Sequence, residues 1–333
     1  MTTRIGINGF GRMGRLALRA GWGDTSLDFV RINETACAAA VSAHLLQFDS
    51  VHGGWTTPCD GRDGILHVDG RTLVHTSERD IAAVDWSDCD IVIEATGHHH
   101  KAPQSLQTYF AQGVRKVLVA APTEGALNIV YGVNHHAYDA RRHDIVTAAS
   151  CTTNCLAPIV KVMHERVGIV HGCMTSIHAI TNTQTVVDRG HRDLRRARAC
   201  GQSLIPTTTG SARAITAIFP ELAGRLNGHA VRVPLLNASL TDFVFEAAQP
   251  VSAETINAHL RDAAAGELAG ILGYEERPLV SVDYVDDSRS AVVDAPSTLV
   301  IDDRQVKIYA WYDNEWGYVC RLLDIARMLA AGL

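Results

Sequence analysis

At 333 residues the chain is long enough for about two domains of ordinary size, and a 47% hydrophobic share supplies full cores. A formal net charge of −6 excludes a generic nucleic-acid binder, and apolar runs such as Ile91-Val92-Ile93 are far too short to span a bilayer. No basic-then-apolar leader precedes the first strand and the eight cysteines form no CxxC pair, so the expectation is a cytoplasmic protein with reduced thiols, without a disulfide framework or zinc ribbon.

The first predicted element is a buried strand over Arg4-Ile5-Gly6-Ile7-Asn8. Gly9-Phe10-Gly11-Arg12-Met13-Gly14 follows at once, and a helix continues from Arg15. G-x-G-x-x-G between a strand and a helix is the context in which this motif binds a dinucleotide. Gly9 allows the tight turn, Gly11 leaves room for a pyrophosphate, and Gly14 lets the helix lie close to the sheet. A second strand over 27–32 ends in Asn33-Glu34, and Glu34 stands 20 residues beyond Gly14. A carboxylate there accepts from a ribose 2′-hydroxyl and repels a 2′-phosphate, which favours NAD over NADP. Arg31 is the one nearby residue able to soften that preference.

Three further strands are predicted over 89–97, 116–122 and 128–133, in the rhythm of a doubly wound parallel sheet. Thr96, Gly97 and Pro122 fall at carboxyl ends of strands, where such sheets gather ligands. His98-His99-His100 and His135-His136 are adjacent pairs and triplets whose rings point in different directions, so no metal site is expected.

Ile145-Val146-Thr147-Ala148-Ala149 reads as a strand and Leu156 to Val167 as a helix, with Ser150-Cys151-Thr152-Thr153-Asn154-Cys155 between them. Cys151 is thus expected near a helix N-terminus, whose partial positive charge favours a thiolate. Cys155 lies one turn deeper and reads as a buried structural thiol, because one helical turn gives poor disulfide geometry. Pro158 should kink this helix or mark its early turns. A strand from Gly168 to Ile180 ends in His178, the candidate base for Cys151. Thr183 to Pro206 is long, aperiodic and basic, suited to an anionic substrate or a partner subunit. Hydroxyls at 207–209 precede a helix at 212–219, where they cap it or bind an oxyanion. Strands follow from Ala230, at 239–247, 279–284, 291–294 and 305–312, with a helix at 253–265, forming a mixed sheet. Arg232, alone in an apolar strand, calls for an anionic partner such as phosphate. A turn at 313–318 leads to a last helix, expected to return to the first domain.

NGFGRMGR at 8–15, SCTTNCLAP at 150–158, HAITNTQ at 178–184, TTTGSARA at 207–214, VRVP at 231–234 and WYDNEWGY at 311–318 occur in order along nearly the whole chain. Together they resemble the phosphorylating glyceraldehyde-3-phosphate dehydrogenase family. The resemblance implies an α/β fold: a Rossmann NAD-binding domain over residues 1–150, joined by the C-terminal helix 315–333, and an α+β catalytic domain over 151–314, usually in a homotetramer. It implies Cys151 as nucleophile and His178 as the residue that activates it. Thr181 and Arg232 would bind the substrate's C3 phosphate with Arg196 assisting, and Ser150, Thr152, Thr209 and Gly210 would hold the attacking oxyanion. Gly9, Phe10, Gly11, Arg12, Met13, Asn33, Glu34, Arg79, Thr96 and Gly97 would hold NAD, with Asn314 on the nicotinamide carboxamide and Tyr318 nearby. Glu34, Ala120 and Arg213 stand where the family commonly has Asp, Ser and Lys.

The wordings SLIPTTTGSARAI and VRVPLLNASLTDFVFE resemble the branch associated with arsenic-resistance operons, which implies arsenate as acceptor in place of phosphate. Housekeeping sugar metabolism and erythrose-4-phosphate oxidation are the neighbouring readings. A noncatalytic NAD-binding regulator is the reading from another class, and the intact Cys151, His178, Thr181, Arg232 and Asn314 argue against it.

Overall fold

Strands covered on both faces are apolar along most of their length, and Ile91–Glu94 and Lys116–Val119 are buried at every position, with Glu94 and Lys116 as the charged exceptions at their ends. They form the centre of a nine-stranded sheet in the computed structural model, which describes residues 2–333. In spatial order its strands are Leu127–Asn128, Ile145–Thr147, Lys116–Val119, Ile91–Glu94, Thr3–Asn8, Leu27–Asn33, Arg71–Thr76, Ile65–Val68 and Cys59–Arg62. The first seven pair in parallel and the last two turn back antiparallel. This is the expected doubly wound sheet, with an antiparallel edge that the sequence reading did not resolve. The strand expected over 128–133 is only Leu127–Asn128, because Ile129 and Val130 leave the ladder on the way to Gly132, whose φ of +88° demands a residue without Cβ.

The chain divides into two compact units. The first holds the described residues up to Tyr131, with His135–Ser150 and Val319–Leu333; the second holds Gly132–Asn134 and Cys151–Tyr318. The last helix, Trp316–Ala331, therefore starts in the second unit and continues into the first. There Arg327 pairs with Asp24 at 2.5 Å.

Alternation governs the second unit. Ser239–Ala247 and Gln305–Tyr312 bury every other side chain, the signature of strands with one covered face. The sheet runs Ile205–Thr208, Leu226–Arg232, Ile169–His178, Ser239–Ala247, Gln305–Tyr312, Ala291–Asp294 and Leu272–Glu275, with Leu299–Ile301 added beside Gln305–Tyr312. It is mixed: Ile169–His178 is parallel to Leu226–Arg232 and antiparallel to Ser239–Ala247. Register alone sets His178 beside Arg232 and Ser239 beside Tyr312.

Two local expectations need correction. Leu279–Tyr284 is not a strand; residues Ser281–Tyr284 form a 3-10 turn, and the strand lies earlier, at Leu272–Glu275. Val280 and Val282 are exposed while Tyr284 is buried, and the Asp283 carboxylate accepts from the Val280 amide, closing the turn. The helix read as starting at Leu156 begins at Cys151 and runs to Arg166 with Pro158 in its interior.

Candidate active site

In the first unit the glycine turn follows the strand Thr3–Asn8 and enters the helix Arg12–Gly21. Gly9 has φ +91°, and a Cβ there would stand 2.6 Å from the Thr96 amide nitrogen. A Cβ on Gly14 would meet the Gly9 carbonyl oxygen at 2.2 Å, whereas one on Gly11 meets nothing within 4 Å. The first and third glycines are thus required by the fold itself, whereas no protein atom requires the second, which leaves the side of the turn beside it open.

Glu34 reaches that turn: its carboxylate accepts from the Phe10 amide at 2.8 Å and from the Ala36 amide at 2.7 Å. Asn33 is buried, donating to Asn8 Oδ1 and to the Glu78 carbonyl. Arg31 forms a two-pronged pair with Asp88, at 3.0 and 2.9 Å, which commits its guanidinium elsewhere than the carboxylate of Glu34. Arg12, at the helix start, grips Asp49 through both terminal guanidinium nitrogens. Burial acts to raise the Asp49 carboxyl, but Arg12 and the Val51 and His52 amides hold it well below the usual carboxylate range. Met13 is half-buried and Arg79 exposed.

Thr96 and Gly97 lie just beyond the strand Ile91–Glu94, and Gly97 takes φ +73°. What holds them is a residue the sequence reading passed over. Glu94 is buried, and its carboxylate accepts from the Thr96 amide and hydroxyl, from Asn8 Nδ2 at 2.9 Å and from the Tyr109 hydroxyl at 2.7 Å. A lone acid closing the apolar run Ile91-Val92-Ile93 was the available signal, since a buried carboxylate must be satisfied by donors. The histidine groups fall largely in two short 3-10 turns, His99–Lys101 and His135–Ala137; His99 contacts Ser105 and His135 stacks on Tyr131.

The second unit carries the thiol. Ala149 adopts φ +53°, a left-handed conformation costing roughly 1–2 kcal/mol, and the sharp turn delivers Cys151 to the first helical position. Cys151 Sγ lies 3.4 Å from His178 Nε2. Cys151 is half-buried and His178 buried. Burial pushes the Cys151 thiol up, against the opposing pull of Arg232 and of hydrogen bonds from Thr152. Burial therefore opposes the thiolate that the helix start favours, and a base that takes the proton offsets this penalty.

His178 is that base by geometry and by ionisation. Burial, and then the Arg232 guanidinium, push its pKa down to about 3, so the imidazole is neutral at physiological pH and keeps a lone pair. Its Nδ1 faces the Ala179 carbonyl oxygen at 2.7 Å and Arg232 Nη1 at 2.6 Å. A carbonyl only accepts and a guanidinium only donates, so each selects one tautomer. With Nδ1–H on Ala179, the Nε2 lone pair aims at the sulfur.

Arg232 donates also to the Ala179 carbonyl at 3.0 Å, yet its buried Nε has no hydrogen-bond partner and it makes no ion pair among the described residues. A half-buried guanidinium without a carboxylate is the residue most in need of an anion here. Arg196 acts on Arg232 electrostatically and donates to Thr207 Oγ1 at 2.7 Å. Thr181 Oγ1 bonds Thr183 and Gln184. Thr209 Oγ1 accepts from the Ser211 amide, and Gly210 directly precedes the helix Ser211–Ile218. Half-buried Ser150 directly precedes Cys151. The Thr152 hydroxyl turns inward to Tyr312 Oη at 2.9 Å, which also contacts Ser176 at 2.8 Å. Cys155 is fully buried, with burial pushing it up to about 12, and none of the eight cysteines is in a disulfide. Asn314 and Tyr318 are buried at the end of the sheet and the start of the last helix. No described helix is long and apolar enough to cross a membrane.

Residues 3–102 match the family described as glyceraldehyde 3-phosphate dehydrogenase, NAD binding domain, and residues 150–314 match its C-terminal domain. The chain is 58% identical to glyceraldehyde-3-phosphate dehydrogenase 3 of Nostoc sp. over 337 aligned positions, covering 100% of both. It is 45% identical to glyceraldehyde-3-phosphate dehydrogenase 1 of Bacillus cereus and 45% identical to the enzyme of Geobacillus stearothermophilus, in each case over 99% of both chains.

Proposed function

The chain belongs to the glyceraldehyde-3-phosphate dehydrogenase family, and we propose that it oxidises glyceraldehyde 3-phosphate with NAD through a thioester on Cys151. The observation that carries this is the 3.4 Å approach of Cys151 Sγ to a neutral, buried His178, beside a half-buried Arg232 that has no ion-pair partner among the described residues.

Neutral His178 takes the thiol proton on Nε2, and the sulfur attacks the aldehyde carbon to give a hemithioacetal. The imidazolium returns its proton to the new alkoxide, and His178 then withdraws it as the carbon–oxygen double bond reforms. Bound NAD+ supplies the acceptor for the hydride that leaves the same carbon. The resulting thioester is attacked by an inorganic oxyanion, the carbon–sulfur bond breaks, and Cys151 is released. Arg232 and Thr181 hold the C3 phosphate with Arg196 at its side, and Ser150, Thr152, Thr209 and Gly210 present donors to the incoming oxyanion. Phosphate as acceptor gives 1,3-bisphosphoglycerate. Arsenate, tetrahedral and similarly charged, fits the same donors and would give 1-arseno-3-phosphoglycerate.

The turn fits the cofactor, because Gly11 leaves open space where the helix amides begin. The first unit would hold NAD through Gly9 to Met13, Asn33, Glu34, Arg79, Thr96 and Gly97; the second would hold the substrate, with Asn314 and Tyr318 serving the nicotinamide. The Glu34 carboxylate beside the turn, with Arg31 committed to Asp88, supports NAD over NADP. Gly11→Ala tests this fit: with nothing within 4 Å of the added methyl, Tm should hold while NAD binding weakens about ten-fold or more. Calorimetry and thermal melts on one preparation separate the two effects.

Exposed Val186, Val187, Leu194 and Leu204 in the basic loop support assembly into a homotetramer, readable by light scattering. Eight cysteines outside any disulfide support a reducing cytoplasm as the place of work. The activity itself is tested by following NADH on adding glyceraldehyde 3-phosphate, NAD+ and phosphate. Turnover should require the oxyanion and exceed that with erythrose 4-phosphate. NAD binding without turnover under any acceptor would instead favour a noncatalytic regulator. The ratio of kcat/KM for arsenate and phosphate at equal pH decides the physiological acceptor.

A further inference from the structure

Ser239 starts the strand Ser239–Ala247 and is 1% exposed. Nothing in its own sequence context marks it, but the fold invests in its position: the preceding residue, Ala238, is buried and holds φ +64°. A non-glycine residue pays conformational energy in that region, so the surrounding packing must enforce it.

Its hydroxyl connects two parts of the site. Ser239 Oγ accepts from the Ala179 amide at 3.0 Å and donates to Asn314 Oδ1 at 2.7 Å. The direction follows from the chemistry of the groups. A backbone N–H can only donate, so the serine oxygen is the acceptor there and its own proton is free for the second contact. The atom of Asn314 facing that proton must therefore be the carbonyl oxygen. That fixes the carboxamide with its NH2 turned away, and Nδ2 has no protein partner among the described residues. Ala179, whose amide Ser239 secures, is also the residue whose carbonyl, in the next peptide along, faces His178 Nδ1 and Arg232 Nη1.

We propose that Ser239 is a positioning residue that orients the Asn314 carboxamide so that its two N–H donors face the nicotinamide carboxamide, and that ties this orientation to the peptide behind His178. The inference rests on the assignment of Asn314 to the nicotinamide. Without the hydroxyl, Asn314 is free to turn over and present an acceptor where a donor is needed, and the buried Ala179 amide loses its partner.

A double-mutant cycle on NAD+ binding by the full-length protein tests this, with Ser239→Ala, Asn314→Ala and the pair measured by calorimetry. The expected result is a Kd raised about ten-fold by Ser239→Ala alone and changed less than about two-fold by the same substitution in the Asn314→Ala background. Equal losses in both backgrounds would overturn the proposal, because Ser239 would then act independently of Asn314. An unchanged Kd in Asn314→Ala alone would instead remove Asn314 from the nicotinamide, a separate failure of the underlying assignment. Ser239→Cys, which keeps a weak donor in nearly the same volume, should recover part of the affinity and serves if the alanine variant does not fold; no recovery with an intact Tm counts against the proposal.

Discussion

Replacing Cys151 by serine should lower NADH formation by roughly ten-thousand-fold or more, with Tm moving by only a few degrees. The reason lies in leaving-group and nucleophile chemistry together. A serine hydroxyl in the same place is a far weaker nucleophile than a sulfur whose proton His178 can remove. Even if it added to the aldehyde, an ester would transfer its acyl group to phosphate far more slowly than a thioester. The fold should tolerate the change, since Cys151 is half-buried and begins a helix that Ser initiates well. Initial rates with glyceraldehyde 3-phosphate, and the disappearance of the burst of NADH expected when phosphate is omitted, provide the readouts. Cys155, buried and held as a thiol, cannot substitute one turn deeper.

Replacing His178 by asparagine should slow turnover by roughly a hundred- to ten-thousand-fold, the range of a lost general base, while leaving the Kd for NAD+ nearly unchanged. An unaltered kcat would remove His178 from catalysis. The same variant has a second signature, in acid stability. An unfolded histidine titrates near 6.5 and the folded His178 near 3. As pH falls through 6.5 the unfolded chain takes up the proton first, so folding loses stability progressively from there down toward pH 3. Above the unfolded value this contribution is fully present. Asparagine cannot titrate, so the variant's Tm should drop less than the parent's between about pH 7.5 and about pH 5. Other groups titrate in that window in both proteins, and the difference between the two melting profiles isolates His178.

These two residues were legible because their local context is short-range. A helix start after an apolar strand, with a thiol among hydroxyls, needs only neighbours in sequence to be recognised, and so does a glycine turn between a strand and a helix. The strands Ser239–Ala247, Ala291–Asp294 and Gln305–Tyr312 and the helix Ala253–Ala265 likewise follow from periodicity over a few residues. The failure at Leu279–Tyr284 has the opposite origin: an apolar letter pattern resembled a strand, but the capping carboxylate of Asp283 and the exposure of Val280 and Val282 turned it into a tight bend.

What the sequence determined by itself was the pair of α/β units, the glycine turn between a strand and a helix, the thiol at a helix start and the family to which the chain belongs. Only the tertiary structure decided the ionisation and partnership of those groups. Register between parallel strands brings Arg232 to His178, desolvation makes the imidazole neutral and opposes the thiolate, and pairing with Asp88 withdraws Arg31 from the NAD or NADP choice. Glu94, Ser239 and Tyr312 acquire their positions in the same way, through contacts with residues distant along the chain. A side chain's identity is local, but its dielectric surroundings and its partners are set by whatever the fold carries past it.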